Sequence, residues 1–214
     1  MKIPTELTDT IKSENFQELI GEIGESVMDN FLDDEILKDI PLVGLLFKIK
    51  NVVTTIQDKL FAKKLLTFLK ELENVPIEKR YEQINKIDNN SEYKTKVGEK
   101  LLFIINNCED SEKSKVIGKI FKAFLEEKIN YDDFLRSSNC INKINFTDFA
   151  LFLKRGITSN DRGNDAFLNA GLLTFKFTKP KMVRDTYFGG DYGIIYETSE
   201  IGRILLGILC NKRY

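Results

Sequence analysis

The chain has 214 residues and a formal net charge of −1, with 42% apolar and 30% charged residues and no histidine. This composition supports a buried core, which excludes a disordered chain, and the near-zero charge excludes a globally basic nucleic-acid binder. Because the absence of histidine removes the commonest general base, the usual nucleophile pairs and most zinc sites, we expect no catalysis, no metal and no cofactor.

The cysteines and the N-terminus indicate the compartment. The cysteines are odd in number and widely spaced, at Cys108, Cys140 and Cys210, and no CxxC motif occurs. We therefore expect free thiols in a reducing environment. The sequence MKIPTELTDT lacks the apolar core of a signal peptide. We therefore expect a cytoplasmic protein, peripheral at the inner membrane if it contacts lipid.

Helical periodicity dominates the first 155 residues. We predict a first helix over residues 13–32, which Ser13 can cap, and a second helical segment over 40–72, with Pro41 in its first turn. Further helices, joined by short polar connections, are predicted at 76–87, 91–107 with Ser91 as cap, from 110 or 111, from 130 with Asn130 as cap, and near 147.

After Gly156 the pattern changes from purely helical to mixed. The predicted elements are a helix over 160–170 ended by Gly171, strands over 172–177 and 192–197, and a last helix over 199–212 that Thr198 can cap. The fold class is therefore mainly α, with a helical array followed by a small α+β module that contains a β-hairpin. We place an α-helical domain at 1–129 and the module at 130–214.

Residues 130–214 resemble a winged-helix module. The family's helix ends at an xxGLL turn, here AGLL at 170–173. A hairpin with a variable wing follows, and the last strand runs into a helix with ordered Thr, Gly and Leu positions, here Thr198, Gly202 and Leu205 of TSEIGRIL at 198–205. The resemblance implies a winged-helix-like fold. It also implies that the recognition helix of DNA-binding members corresponds to about 160–170.

The resemblance makes a DNA-binding regulator the alternative function. The recognition-helix segment carries Asp161 and Asp165 against Arg162, which disfavours contact with phosphates. The wing is more basic, and the residues that would contact nucleic acid there are Lys176, Lys179, Lys181 and Arg184. We rank nucleic acid below a protein partner.

The most suggestive segment for function begins near Pro41. Its first turns are apolar on all sides, and lysines follow, a pattern found in helices at membrane surfaces. The run is too short to span a bilayer, and a buried core helix or an oligomer interface are the other interpretations. The candidate contact residues for a membrane or a second copy are Leu42, Val43, Leu45, Leu46 and Phe47.

The blocks KKLLTFLKEL, GEKLLFII and KIFKAFL resemble those of small helical bacterial proteins of phage-defence and abortive-infection systems. Taken together, the residues predict a non-catalytic bacterial effector or interaction protein, in a phage-defence setting if that resemblance holds. It would act by self-association or membrane contact through the helix that starts near Pro41. An enzyme that uses only carboxylates and tyrosines is the least favoured interpretation.

Overall fold

The computed structural model describes residues 3–21, 55–155, 164–177 and 194–210. The chain divides into two compact units, unit 1 with residues 1–142 and unit 2 with residues 143–214. As the sequence predicts, the fold is mainly α-helical with a small antiparallel β-hairpin near the C-terminus.

Unit 1 consists of helices in its described part. Their bounds are α1 Ile3–Lys12, α2 Phe16–Gly21, α3 Ile56–Lys70, α4 Ile77–Asp88, α5 Val97–Asn106, α6 Ser111–Leu125 and α7 Tyr131–Lys143. An aromatic cluster forms the centre of the core. The Phe121 ring centroid of α6 lies 5.6 Å from that of Phe68 on α3 and 5.0 Å from that of Phe134 on α7. These contacts join α3 to the two consecutive helices α6 and α7.

Side-chain caps fix several helix starts where the sequence predicts them. Asp110 Oδ1 accepts the backbone N–H of Lys113 at 2.9 Å, and Asn130 Oδ1 accepts that of Asp133 at 2.8 Å. Such caps satisfy N–H groups that have no partner within the helix. The predicted starts of α6 and α7 are therefore confirmed.

Two other helix starts differ from the predictions. Ser13 lies in the turn between α1 and α2, where its hydroxyl donates to the Thr10 carbonyl at 2.7 Å instead of capping a helix. Helix α5 begins at Val97 and not near Ser91, because the Val97 N–H donates to Asp88 Oδ1 at 2.8 Å. This second cap comes from the end of the preceding helix, so local sequence around 91–97 does not reveal it.

A fully buried arginine joins the N-terminal helices to α4. Arg80 is 1% exposed, and its Nε donates to the Val75 carbonyl at 3.0 Å. Its Nη1 donates to the carbonyls of Ile11 and Ser13, and the guanidinium lies 4.5 Å from the Phe16 ring centroid. Burial lowers the pKa of Arg80. We call this set of contacts the Arg80 clamp.

Unit 2 combines helices with the hairpin. Its described elements are α8 Phe146–Arg155, α9 Asn164–Ala170, β1 Leu173–Phe177, β2 Ile194–Thr198 and α10 Glu200–Cys210. The Phe152 and Phe167 rings meet with centroids 5.5 Å apart, which packs α8 against α9. Leu172 and Leu205 are fully buried between the hairpin base and α10.

The base of the hairpin is held by the turn after α9 and by the start of α10. Gly171 has φ +87°, a conformation that favours glycine, and it ends α9 as predicted. The helix cap is Ser199 and not Thr198, because Ser199 Oγ accepts the Gly202 N–H at 2.9 Å. The same hydroxyl donates to the Gly171 carbonyl at 2.6 Å. A side chain at Gly202 would meet the Leu172 carbonyl oxygen at 2.4 Å, so only glycine allows this approach.

Candidate interaction surface

The hairpin register sorts its side chains into two faces. Phe175 pairs with Tyr196 and Phe177 with Ile194. Because successive side chains of a strand point to opposite faces, these residues share one face of the two-stranded sheet. We call Phe175, Phe177, Ile194 and Tyr196 the apolar hairpin face.

The apolar hairpin face is open to solvent. Phe177 is 67% exposed and Ile194 is 51% exposed, while Tyr196 is half-buried. The Phe175 and Phe177 rings pack edge to face with centroids 5.4 Å apart, so they form one continuous aromatic surface. Contiguous exposed apolar groups of this kind are typical of contact surfaces.

The opposite face of the hairpin carries charge. Lys176 Nζ forms an ion pair with Glu197 Oε2 at 2.8 Å, across a diagonal of the two strands. Both side chains are largely exposed, so the pair adds little to stability. It does neutralise the lysine locally, and Ile195 on the same face is also exposed.

The predicted contact residues lie mostly outside the described residues. Of the proposed wing cations only Lys176 is described, and Lys179, Lys181 and Arg184 lie outside. All of the residues predicted for membrane or oligomer contact, Leu42, Val43, Leu45, Leu46 and Phe47, lie outside as well. Lys176, the described member of these sets, lies beside Glu197.

Large apolar side chains are also exposed on the helices of unit 1, but they are more scattered. Phe103 on α5 is 64% exposed, close to the value for Phe177, and it contacts the ammonium group of Lys100. It belongs to no aromatic pair among the described residues. Single exposed apolar residues are normal on protein surfaces, so continuity distinguishes the hairpin.

Metal-ligating side chains do not cluster in the described part of the chain, and two of its cysteines are buried. No set of three Cys, Asp or Glu side chains is arranged there to hold a metal ion. Cys108 and Cys140 are buried and form no disulfide, and burial raises the pKa of the Cys108 thiol, which disfavours the reactive thiolate. Among the helices of the described ranges, none combines the length and apolar character needed to cross a bilayer.

Comparison with family models, with curated protein sequences and with solved structures yields no match. The apolar hairpin face itself is not predicted from the sequence, although its signal is visible there. Phe175 and Phe177 stand two residues apart in one strand, which places them on one face. Whether another element covers that face depends on tertiary structure.

Proposed function

We propose that this chain is a non-catalytic interaction protein that works by self-association, and that the apolar hairpin face forms the contact between copies. The observation that carries the proposal is the exposed, continuous aromatic surface of Phe175 and Phe177. Burial of such rings is the largest energetic contribution that a small interface has available.

A second copy of the chain is the favoured partner for the apolar hairpin face, for two reasons. The described sheet has only two strands, so each strand has an outer edge without a strand partner in the described ranges. Because isolated two-stranded sheets are marginally stable in water, pairing with another copy would support the hairpin. In addition, the net charge of −1 and the Lys176–Glu197 pair leave little repulsion between identical surfaces.

The test compares two phenylalanines of nearly equal exposure. Light scattering after size exclusion and sedimentation velocity are measured over a concentration series for wild type, Phe177→Ser and Phe103→Ser. We expect wild-type dimers or larger species, a dissociation constant raised at least tenfold by Phe177→Ser, and no change with Phe103→Ser. A wild type that stays monomeric at about 100 µM, or equal effects of the two substitutions, would falsify self-association through this face.

Residues 42–47 are a second predicted location for the contact between copies of the chain. Leu45→Asp/Leu46→Asp in the same concentration series tests it, because charges in an apolar contact weaken association. Co-sedimentation with anionic vesicles tests the membrane version of the proposal. A monomeric wild type that pellets with vesicles, and loses pelleting in the double variant, would replace self-association by membrane contact.

We further propose that the C-terminal module predicted from the sequence is winged-helix-like, with its compact part in unit 2, residues 143–214. The order α9, β1, β2 and α10 and the glycine turn at the end of α9 support it. DNA binding through the wing remains the rival function, and the phage-defence setting remains a prediction from sequence. Salt-dependent binding to duplex DNA that weakens when Lys179, Lys181 and Arg184 are neutralised would favour the rival.

A further inference from the structure

A cavity of about 320 Å³ lies in unit 1. It is bounded by the C-terminal half of α4, the segment 89–96, and the turn between α6 and α7. Its volume is at the lower end of the range for small-molecule sites. A ligand that fills it is therefore small.

One wall of the cavity is aromatic. The Tyr131 ring meets the Tyr93 ring edge to face, with centroids 5.0 Å apart, and the Phe124 ring with centroids 5.3 Å apart. All three residues line the cavity. A wall of π-faces and ring edges favours a flat ligand, since stacked and edge-to-face contacts both stabilise planar rings.

One lining side chain carries a buried polar group without a partner. Tyr131 is 3% exposed and its hydroxyl has no hydrogen-bond partner in the structure described. Gln83 is 4% exposed, and its side chain faces Glu127, where it lowers the pKa of the carboxyl. Most buried polar groups in folded proteins are hydrogen-bonded, so the orphaned Tyr131 hydroxyl indicates a ligand with an acceptor atom.

The Tyr131 hydroxyl is held in its donor form. Burial raises the pKa of Tyr131 well above its usual value, and the nearby carboxylates Asp88 and Asp132 raise it further. The hydroxyl of Tyr93 is engaged differently, because it donates to Asp132 Oδ1 at 3.1 Å. Tyr131 is therefore the phenol available to a ligand.

Two charged side chains line the cavity, Lys86 and Glu127. Glu127 forms an ion pair with Lys79, which lowers the pKa of the Glu127 carboxyl, and Lys86 and Gln83 lower it to a smaller extent. Lys86 is exposed. Because Glu127 is paired with Lys79, Lys86 is the lining cation that an anionic group on the ligand can reach.

The backbone of Glu127, a residue that lines the cavity, has an unusual conformation. Its φ of 60° is a left-handed conformation, at the position after α6 where glycine is usually found. The Lys128 N–H donates to the Ala123 carbonyl at 2.9 Å and closes the helix end. A non-glycine residue here costs on the order of 1 kcal/mol, and such costs occur preferentially at binding sites.

We infer that this cavity binds a nucleotide, with the base against the aromatic wall and the phosphate at Lys86. Besides Gln83, two further carboxamides, Asn90 and Asn130, line the cavity. Asn130 Oδ1 caps α7, so the group that Asn130 offers to the edge of a nucleobase is its amide N–H. The inference does not depend on the proposed self-association.

Titration calorimetry of the full chain with the four ribonucleoside monophosphates, and with the matching nucleosides, tests the inference. We expect at least one monophosphate to bind with a dissociation constant on the order of 10–100 µM. Tyr131→Phe removes only the donor and is expected to weaken binding about 5–10-fold. Its control is Tyr81→Phe, the same change at an exposed tyrosine of α4 outside the lining, with no expected effect.

Lys86→Ala keeps the inference testable if Tyr131→Phe disturbs the core, because Lys86 is exposed. It is expected to weaken the monophosphate and leave the nucleoside unchanged, whereas Lys119→Ala, at an exposed lysine of α6 outside the lining, changes neither. The inference is wrong if no monophosphate binds at about 1 mM. It is also wrong if neither Tyr131→Phe nor Lys86→Ala weakens binding more than its control.

Discussion

Phenylalanine has opposite surroundings in the helical core of unit 1 and in the hairpin of unit 2. Phe68, Phe121 and Phe134 are fully buried where three helices meet, whereas Phe175 and Phe177 are exposed on a two-stranded sheet. Helices cover one another on several sides, but a single sheet layer leaves a face open unless another element packs on it. The residue type therefore indicates apolar surface, and the architecture decides whether that surface becomes core or contact.

The largest expected effect is a difference in stability between truncating a buried phenylalanine of unit 1 and truncating an exposed one of the hairpin. Phe121→Ala removes a ring that contacts three other rings, so we expect the free energy of unfolding to fall by about 3–5 kcal/mol. Phe177→Ala is expected to change it by less than about 0.5 kcal/mol. Urea unfolding at a protein concentration low enough to keep both variants monomeric measures the difference. Similar losses in the two variants would mean that the hairpin face is packed.

Charged side chains show the same contrast between the core of unit 1 and the hairpin of unit 2, with a smaller expected loss of stability. Arg80→Met removes the donor to the buried carbonyls of Ile11 and Val75 and one of two donors to Ser13, so we expect a loss of about 3 kcal/mol. Lys176→Met breaks an exposed ion pair and is expected to cost less than about 0.5 kcal/mol. Thermal and urea unfolding of both variants measure these two losses of stability.

Arg80→Lys separates charge from geometry in the same experiment. Lysine keeps the positive charge but cannot present the planar fork that reaches several carbonyls. We expect its stability to lie between those of wild type and Arg80→Met. A stability equal to wild type would show that charge alone, and not the directed hydrogen bonds, holds the N-terminal helices to α4.

The smallest expected effect is a pH dependence specific to unit 1. The pKa of Tyr131 is raised in the folded state, so above pH ~10 the unfolded chain loses this proton while the folded chain keeps it. The stabilisation present below that pH is therefore lost as pH rises. Between pH 9 and 11 we expect the stability difference between wild type and Tyr131→Phe to shift by about 1 kcal/mol against wild type. A constant difference would contradict a buried neutral phenol.

Local interactions were the part of the fold that the sequence could predict. The caps at Asp110 and Asn130 reach only three residues along the chain, so they are visible in a short window of sequence. The α5 cap from Asp88 reaches nine residues, and the Arg80 clamp joins residues 69 apart in sequence. Helix α1 offers only Ile3, Leu7 and Ile11 as a periodic signal, and so it was not predicted.

The candidate sites depended more strongly on tertiary structure. Strand periodicity places Phe175 and Phe177 on one face but cannot show that the face stays uncovered. The cavity in unit 1 gathers Gln83, Phe124 and Tyr131 from different helices, and none of them belongs to a recognisable motif. Orphaned polar groups such as the Tyr131 hydroxyl can be recognised only once their surroundings are known.

The Arg80 clamp has a consequence for behaviour in acid. Its acceptors are peptide carbonyls, which do not take up protons in the range where carboxylates do. Acidification protonates carboxylates such as Glu127 and so breaks its ion pair with Lys79. The Arg80 guanidinium keeps all of its carbonyl acceptors. The attachment of the N-terminal helices to α4 is thus expected to be among the last features of unit 1 to melt at low pH.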